Sequence, residues 1–206
     1  MRCLFFDIAS HETVVACCTD KEVAACITQN GPSGDGELMT YIHNVLKRAQ
    51  WQPEELTGVA AVMGPGGFTS LRIAAAGANA LGFALSIAVC GMHLSELYRA
   101  RSQEKDLLWL HSTKRSEVFI RGFGRWQQQW SEAVHCELGS VLEVLQSESI
   151  TDCTWTGELL EEHQQAIAPY VSQQAALVTV ESILPSLLAE QRFSQQTLQP
   201  WYGREG

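Results

Sequence analysis

The part of this chain best suited to chemistry is a glycine-dense run, Gly64-Pro65-Gly66-Gly67-Phe68-Thr69-Ser70-Leu71-Arg72. It stands between an apolar segment and a helical one. A turn of that kind at a helix N-terminus leaves backbone N–H groups free to cradle an anion, with the helix dipole assisting. The same glycines equally suit a tight turn that needs positive φ. No Lys precedes the hydroxyl residues at the required place, so the run is not a Walker A loop. Gly64, Gly66 and Gly67 are therefore candidate phosphate contacts, beside the plain reading of a structural turn. Asp7 ends the first apolar run, where Ile8-Ala9-Ser10 turns. A carboxylate there can hold a hydrated metal beside a nucleotide phosphate, or it can cap the turn.

The remaining chemistry-bearing residues are scattered. His11, His43, His93, His111, His135 and His163 never fall at H-x-x-x-H or H-E-x-x-H spacing, so no zinc hydrolase is indicated. Seven cysteines (Cys3, Cys17, Cys18, Cys26, Cys90, Cys136 and Cys153) form no C-x-x-C pair. Four of the seven lie among apolar neighbours near the N-terminus and read as small buried hydrophobes, and reduced thiols in a cytoplasmic setting are expected. No G-x-S-x-G elbow is present. No catalytic residue and no metal ligand set is assigned.

The elements that must position these residues follow from composition and pattern. With 206 residues, 46% hydrophobic and 18% charged, the chain can bury a large core and is not disordered. A net charge of −9 opposes phosphate polymers, so any nucleic-acid contact needs a local basic patch or a basic partner. The opening residues carry too short an apolar run for a signal peptide. The uncharged stretch Ile73–Met92 has the length of a bilayer span but is mostly Ala and Gly. It reads as a buried helix and a buried strand, not a membrane segment.

Apolar runs at 3–8, 13–18 and 23–28, joined by short polar links, predict three antiparallel strands. After the break at Gly31–Gly36, Leu38, Ile42, Val45, Leu46 and Ala49 fall at helical spacing. A strand over 58–63 follows, then a helix from a Thr69 or Ser70 cap to Leu85, a strand at 87–90 and a helix over 94–101. Hairpins followed by alternating strand and helix give a mixed α/β sheet with helices on its faces. Residues 107–112 and 117–120 repeat the opening hairpin, placing His111 over Asp7 and Val118 over Val14, a weak sign of duplication. Helices are expected over 138–146, 157–168 and 181–191. The chain divides into a lobe of residues 1–104 and a second lobe of 105–206. The small residues Ala74, Ala75, Gly77, Ala78, Ala80 and Gly82 suit packing within the lobe or against a partner.

Taken together, these residues resemble a known family. G-P-G-G-F-T-S-L-R-I is similar to the G-P-G-S-F-T-G-L-R-I signature of the bacterial TsaB (YeaZ) proteins. F-F-D-I-A-S resembles that family's strand ending in Asp-Thr-Ser, and S-T-K-R-S-E-V-F its D-A-R-R-x-E-V-Y segment. Gln199-Pro200-Trp201-Tyr202-Gly203-Arg204 is similar to its Pro-x-Tyr-x-Arg ending. The family's His-Ser-Glu is Gly34-Asp35-Gly36-Glu37 here, and its second-lobe Asp is His111.

The resemblance implies a two-lobed actin/Hsp70-like (ASKHA) fold with a smaller, degenerate second lobe. It further implies a non-catalytic subunit without a cofactor, partner of a TsaD subunit and a TsaE ATPase in making N6-threonylcarbamoyladenosine in ANN-decoding tRNAs. On this reading tRNA is met only through the complex, and a homodimer is the alternative without TsaD. The expected partner surface is Leu38, Ile42, Val45 and Leu46 with Leu71, Ala75, Ala78 and Gly82. Asp7, Gly64, Gly66 and Gly67 would be a vestigial nucleotide site. The rival is an ASKHA-type kinase or acyltransferase that uses Asp7 and the Gly64–Gly67 loop.

Overall fold

The computed structural model describes residues 1–31, 36–147, 153–171 and 173–203. The expected break at 31–36 lies largely outside these. The chain divides into two units: Met1–Leu97 with Thr179–Tyr202, and Tyr98–Val178 with Gly203–Gly206. The sequence-based division at 104/105 thus differs from the structure in two respects, the first being that the boundary falls between Leu97 and Tyr98. Residues 179–202, expected in the second lobe, pack with the first.

In the first unit, strands β1 (Arg2–Asp7), β2 (Glu12–Thr19) and β3 (Val23–Asn30) form the expected antiparallel set. Helix α1 (Glu37–Ala49) leads to β4 (Gly58–Gly64), and α2 (Phe68–Leu85) to β5 (Ala88–His93). β4 pairs with β1, and β5 with β4, both in parallel, so the sheet order is β3-β2-β1-β4-β5. Both faces of β1 are buried, which is why it reads as one continuous apolar run. Leu4, Phe6 and Ile8 join Val15, Val59, Ala61 and Met63 under α1 and α2. Cys3 and Cys18 are cross-strand partners in the register of the opposite face. There β2 and β3 meet α6 (Val180–Ala189).

Helix α1 forms on the Leu38, Ile42, Val45 and Leu46 stripe, with Glu37 in its first turn and Lys47 and Arg48 in its last, each favourable to the dipole. Helix α2 starts one or two residues before the expected caps. Gly67 takes the cap position without a side-chain hydrogen bond, and Thr69 and Ser70 lie inside the first turn. By length and composition alone α2 could cross a membrane, but its inner side is packed on β4.

The last stretch of this unit is a strap. Ser194 exchanges two backbone hydrogen bonds with Val89 on the β5 edge, at 2.8 and 2.9 Å. The Asn79 amide brackets Leu198, donating to its carbonyl at 2.9 Å and accepting from its N–H at 2.7 Å. Trp201 N–H then donates to the Met63 carbonyl at 2.7 Å.

The second unit contains β6 (Leu107–Lys114), β7 (Glu117–Phe123), β8 (Val134–Glu137), α4 (Leu138–Ser147), β9 (Thr154–Glu158), α5 (Glu161–Ile167) and β10 (Gln173–Gln174). Helix α3 (Leu94–Arg101) spans the unit boundary. The sheet order is β10-β9-β6-β7-β8. Matching β1 to β6 and each following strand in turn gives the order of the first sheet, so the duplication suspected from one hairpin extends to the whole topology. The register differs by one residue: His111 faces Phe119 instead of Val118, with a register shift between His111 and Lys114. The helix expected over 157–168 begins at Glu161, because Gly157 and Glu158 belong to β9. Strand β8 had no counterpart in the sequence pattern.

Candidate functional site

Asp7 and the glycine loop meet at the C-terminal ends of the parallel neighbours β1 and β4, the place where open α/β sheets hold ligands. Asp7 is 1% exposed. Its Oδ1 accepts the Ala9 and Ser10 N–H groups at 3.1 and 3.2 Å, and its Oδ2 accepts the Ser10 hydroxyl at 2.6 Å. Both oxygens are thus used in the turn that Asp7 itself begins, as a short acidic side chain allows. Of the two readings of Asp7, the geometry carries the cap.

The loop is similarly occupied. Gly67 donates its N–H to the Ala9 carbonyl at 3.0 Å and accepts the Leu71 N–H at 2.9 Å, opening α2. A Cβ on Gly66 would stand 2.6 Å from the Ala9 carbonyl oxygen. Gly64, at φ 145°, lies against the Trp201 carbonyl, where a side chain has no room. These glycines are required for close approach of the chain to itself. Beside them runs a groove of about 310 Å³ lined by Met63, Gly91, Met92, His93, Leu198 and Trp201. The His93 ring meets Trp201 edge-on at 4.5 Å, and its Nδ1 is 2.7 Å from Ser95 Oγ.

The expected partner surface requires correction. Leu38, Ile42, Val45, Leu46, Leu71, Ala75, Ala78 and Gly82 are all buried within their own unit. Their spacing is the stripe that binds each helix to its own sheet, so they are not available to a second protein. The outward side of α2 carries Arg72, Ala76, Ala80, Phe83 and Ala84. Phe83 is 90% exposed and Phe68, at the helix start, 55%. The Arg72 guanidinium lies 4.0 Å over the Phe68 ring, which also meets Tyr202 at 5.0 Å. On α1 the exposed apolar residue is Met39.

Sequence reasoning missed a buried polar cluster in the second unit. The Tyr98 hydroxyl donates to Glu158 Oε1 at 2.6 Å, and His111 Nδ1 lies 3.4 Å from Glu158 Oε2. Trp109 stacks nearly parallel on His111 at 5.8 Å. His135 Nε2 lies 3.0 Å from Glu117 Oε2, and His163 Nε2 is 2.6 Å from the Arg115 carbonyl. The duplication offered the one available signal, since it placed His111 where the first lobe has Asp7. Among the described residues the titratable groups gather into no potential metal site of three or more. The thiols are inert by environment: burial pushes Cys3 and Cys17 up to about 12 and Cys90 to about 11.

Comparison with known proteins then settles the family. The family model described as TsaD, tRNA N6-adenosine threonylcarbamoyltransferase, matches residues 36–190. The chain belongs to the TsaD family. Its fold is shared with a crystal structure from Pseudomonas aeruginosa described as an uncharacterized protein similar to peptidase YEAZ. That match has a TM-score of 0.73 and 18% identity, covering 98% of this chain and 99% of the other. YeaZ from the same organism matches with a TM-score of 0.67 and 17% identity, over the same shares of both chains. The expected resemblance to YeaZ is therefore met in fold, an α/β fold of two mixed sheets with helices, and TsaD-family membership sets the chain in the context of tRNA adenosine modification. No curated protein matches it at a significant level.

Proposed function

We propose that this TsaD-family chain is a TsaB-like, non-catalytic subunit that holds a TsaD-type transferase during threonylcarbamoylation of tRNA adenosine. The observation that carries the reading is the filled loop. The carboxylate and glycines that would hold a nucleotide spend their hydrogen bonds and space on Ala9, Ser10 and Trp201. Four histidines point the same way, each engaged by a different neighbour in a different place: Ser95, Glu158, Glu117 and the Arg115 carbonyl. A subunit of this kind works by presenting a surface. The outer side of α2, with exposed Phe83 among small residues that let a second helix approach closely, is the surface offered. A TsaE-type ATPase would join the pair, and tRNA would reach the assembly through the transferase.

Light scattering after size exclusion tests this with the TsaD-type protein of the same organism. A stable heterodimer is expected, and two separately eluting species would sink the proposal. Titration calorimetry of the chain alone with ATP and magnesium should give no heat. Saturable heat at micromolar concentration would favour the nucleotide-binding enzyme instead.

A further inference from the structure

The strap leaves one stretch of the first sheet's edge uncovered. In a parallel ladder the N–H and C=O of a residue point to the same side, and successive residues alternate. Val89 turns both groups outward, to Ser194, so Gly91 turns both outward as well. Beyond Ser194 the strap quits the edge, crosses to Asn79 through Leu198 and returns to the sheet at Met63. Gly91 is exposed. Among the described residues its N–H meets no acceptor, and its carbonyl receives only the Cys90 thiol at 3.8 Å, a weak donor. The groove of about 310 Å³ lies along this gap, at the lower end of the size of ligand sites. Met63, Met92, Leu198 and Trp201 give it apolar walls, and Gln196 and Thr197 add neutral polar groups. Among the described residues its lining holds no aspartate, glutamate, lysine or arginine.

Ser194 shows what the edge accepts: one extended residue that exchanges both backbone hydrogen bonds with its opposite number, at 2.8 and 2.9 Å. Two residues on, Gly91 offers the same pair to a groove instead of to the chain. A glycine within a strand suits close approach by another backbone. The place a Cβ would take is crowded by Met63 Cγ and Leu198 Cδ2, 2.9 and 3.3 Å away, which brings apolar surface up to the edge. We propose that the β5 edge at Gly91 takes an extended, uncharged peptide segment of another protein, added as a short strand beside β5 where the strap departs. In strand addition backbone hydrogen bonds supply affinity, and pockets beside them supply selectivity. The ammonium and carboxylate of a free di- or tripeptide would lose water in this groove without meeting a counter-charge, so the occupant is an internal segment of a longer chain. Neither Ala80 nor Phe83, on the side of α2 offered to the transferase, lines the groove.

Heteronuclear amide NMR of the full chain, titrated with the blocked tripeptide acetyl-Thr-Val-Thr-amide, tests it. The Gly91 amide proton should move downfield and saturate at millimolar peptide, the range that two backbone hydrogen bonds and a small apolar contact give. Methylating the nitrogen of the peptide's central valine removes the donor to the Gly91 carbonyl and should weaken binding at least tenfold. Gly91→Pro removes the protein's own donor while sparing the ladder to β4, and should abolish the response at the neighbouring Met92 amide. Thermal melting checks that this variant folds; if it does not, the methylated peptide still decides the matter on the wild-type chain. An unmoved Gly91 signal at millimolar blocked peptide overturns the proposal, as does equal binding of the methylated peptide. Equal binding of unblocked Thr-Val-Thr overturns it in favour of a site for free peptides. A response to uridine and none to the peptide overturns it in favour of a planar heterocycle.

Discussion

Asp7 is the residue on which an enzyme and a scaffold differ most. Three hydrogen bonds from Ala9 and Ser10 occupy it, in a site almost without solvent. Asp7→Ala would leave two buried N–H groups without their acceptor, while the Ser10 hydroxyl keeps the Glu12 carbonyl at 3.0 Å, a loss of about 2–3 kcal/mol. For a protein of this size that corresponds to a drop in melting temperature of about 4–10 °C, readable by calorimetry. The thiols make a second residue-scale prediction. The ordinary value is 9.0, and in the fold Cys3 and Cys17 are held at about 12. From pH 9 upward the unfolded chain ionises these thiols while the folded one does not, so stability should be flat below that point and fall as pH rises toward 12. Iodoacetamide at pH 8 should spare both residues until denaturant is added, and mass spectrometry of the peptides would show it. The identity of Asp7 as a residue of interest was legible in the sequence. Its role was not, because a turn cap and a metal ligand need the same side chain and differ only in where the next backbone N–H groups point.

At the level of elements, the two helices of the first unit show what patterning can convey. Helix α1 has large apolar residues on one side and charged or polar ones on the other, so the pattern shows the helix and its apolar side but not whether that side meets its own sheet or a partner. Helix α2 carries Ala or Gly on every side, which leaves the helix readable and its orientation not. In both helices spacing marks a buried side without naming what buries it, and the structure gives that place to their own sheet. Ala78 packs on β4, so Ala78→Glu should unfold the first unit, seen as loss of the cooperative melt. Ala80 is exposed. Ala80→Glu should melt like wild type and abolish the transferase complex in size exclusion; an unchanged complex would remove α2 as the docking helix. The strap offers a separate check. Asn79→Ala deletes both hydrogen bonds that hold Leu198, and the amides of the strap should exchange with deuterium at least tenfold faster as a result.

At the scale of the whole molecule, the strand order β3-β2-β1-β4-β5 and its repeat, β8-β7-β6-β9-β10, show that one architecture was used twice. Only the opening hairpin of the second copy was visible in the sequence. Its strand β8 is four residues and β10 two, too short to give a periodic signal.

The first unit is also discontinuous: it lacks α6 and the strap until residues 179–202 are present. A ribosome delivers all of Tyr98–Val178 before those residues. Throughout that interval the nascent first sheet has one face, with Cys3 and Cys18, awaiting its helix, and an open β5 edge awaiting Ser194. An uncovered strand edge invites pairing with another chain. The second unit, contiguous in sequence apart from its last few residues, can close while the first still waits. Synthesis therefore completes the lobes in the reverse of the order in which they begin, and a transcript broken after Val178 would yield a first lobe that cannot finish folding.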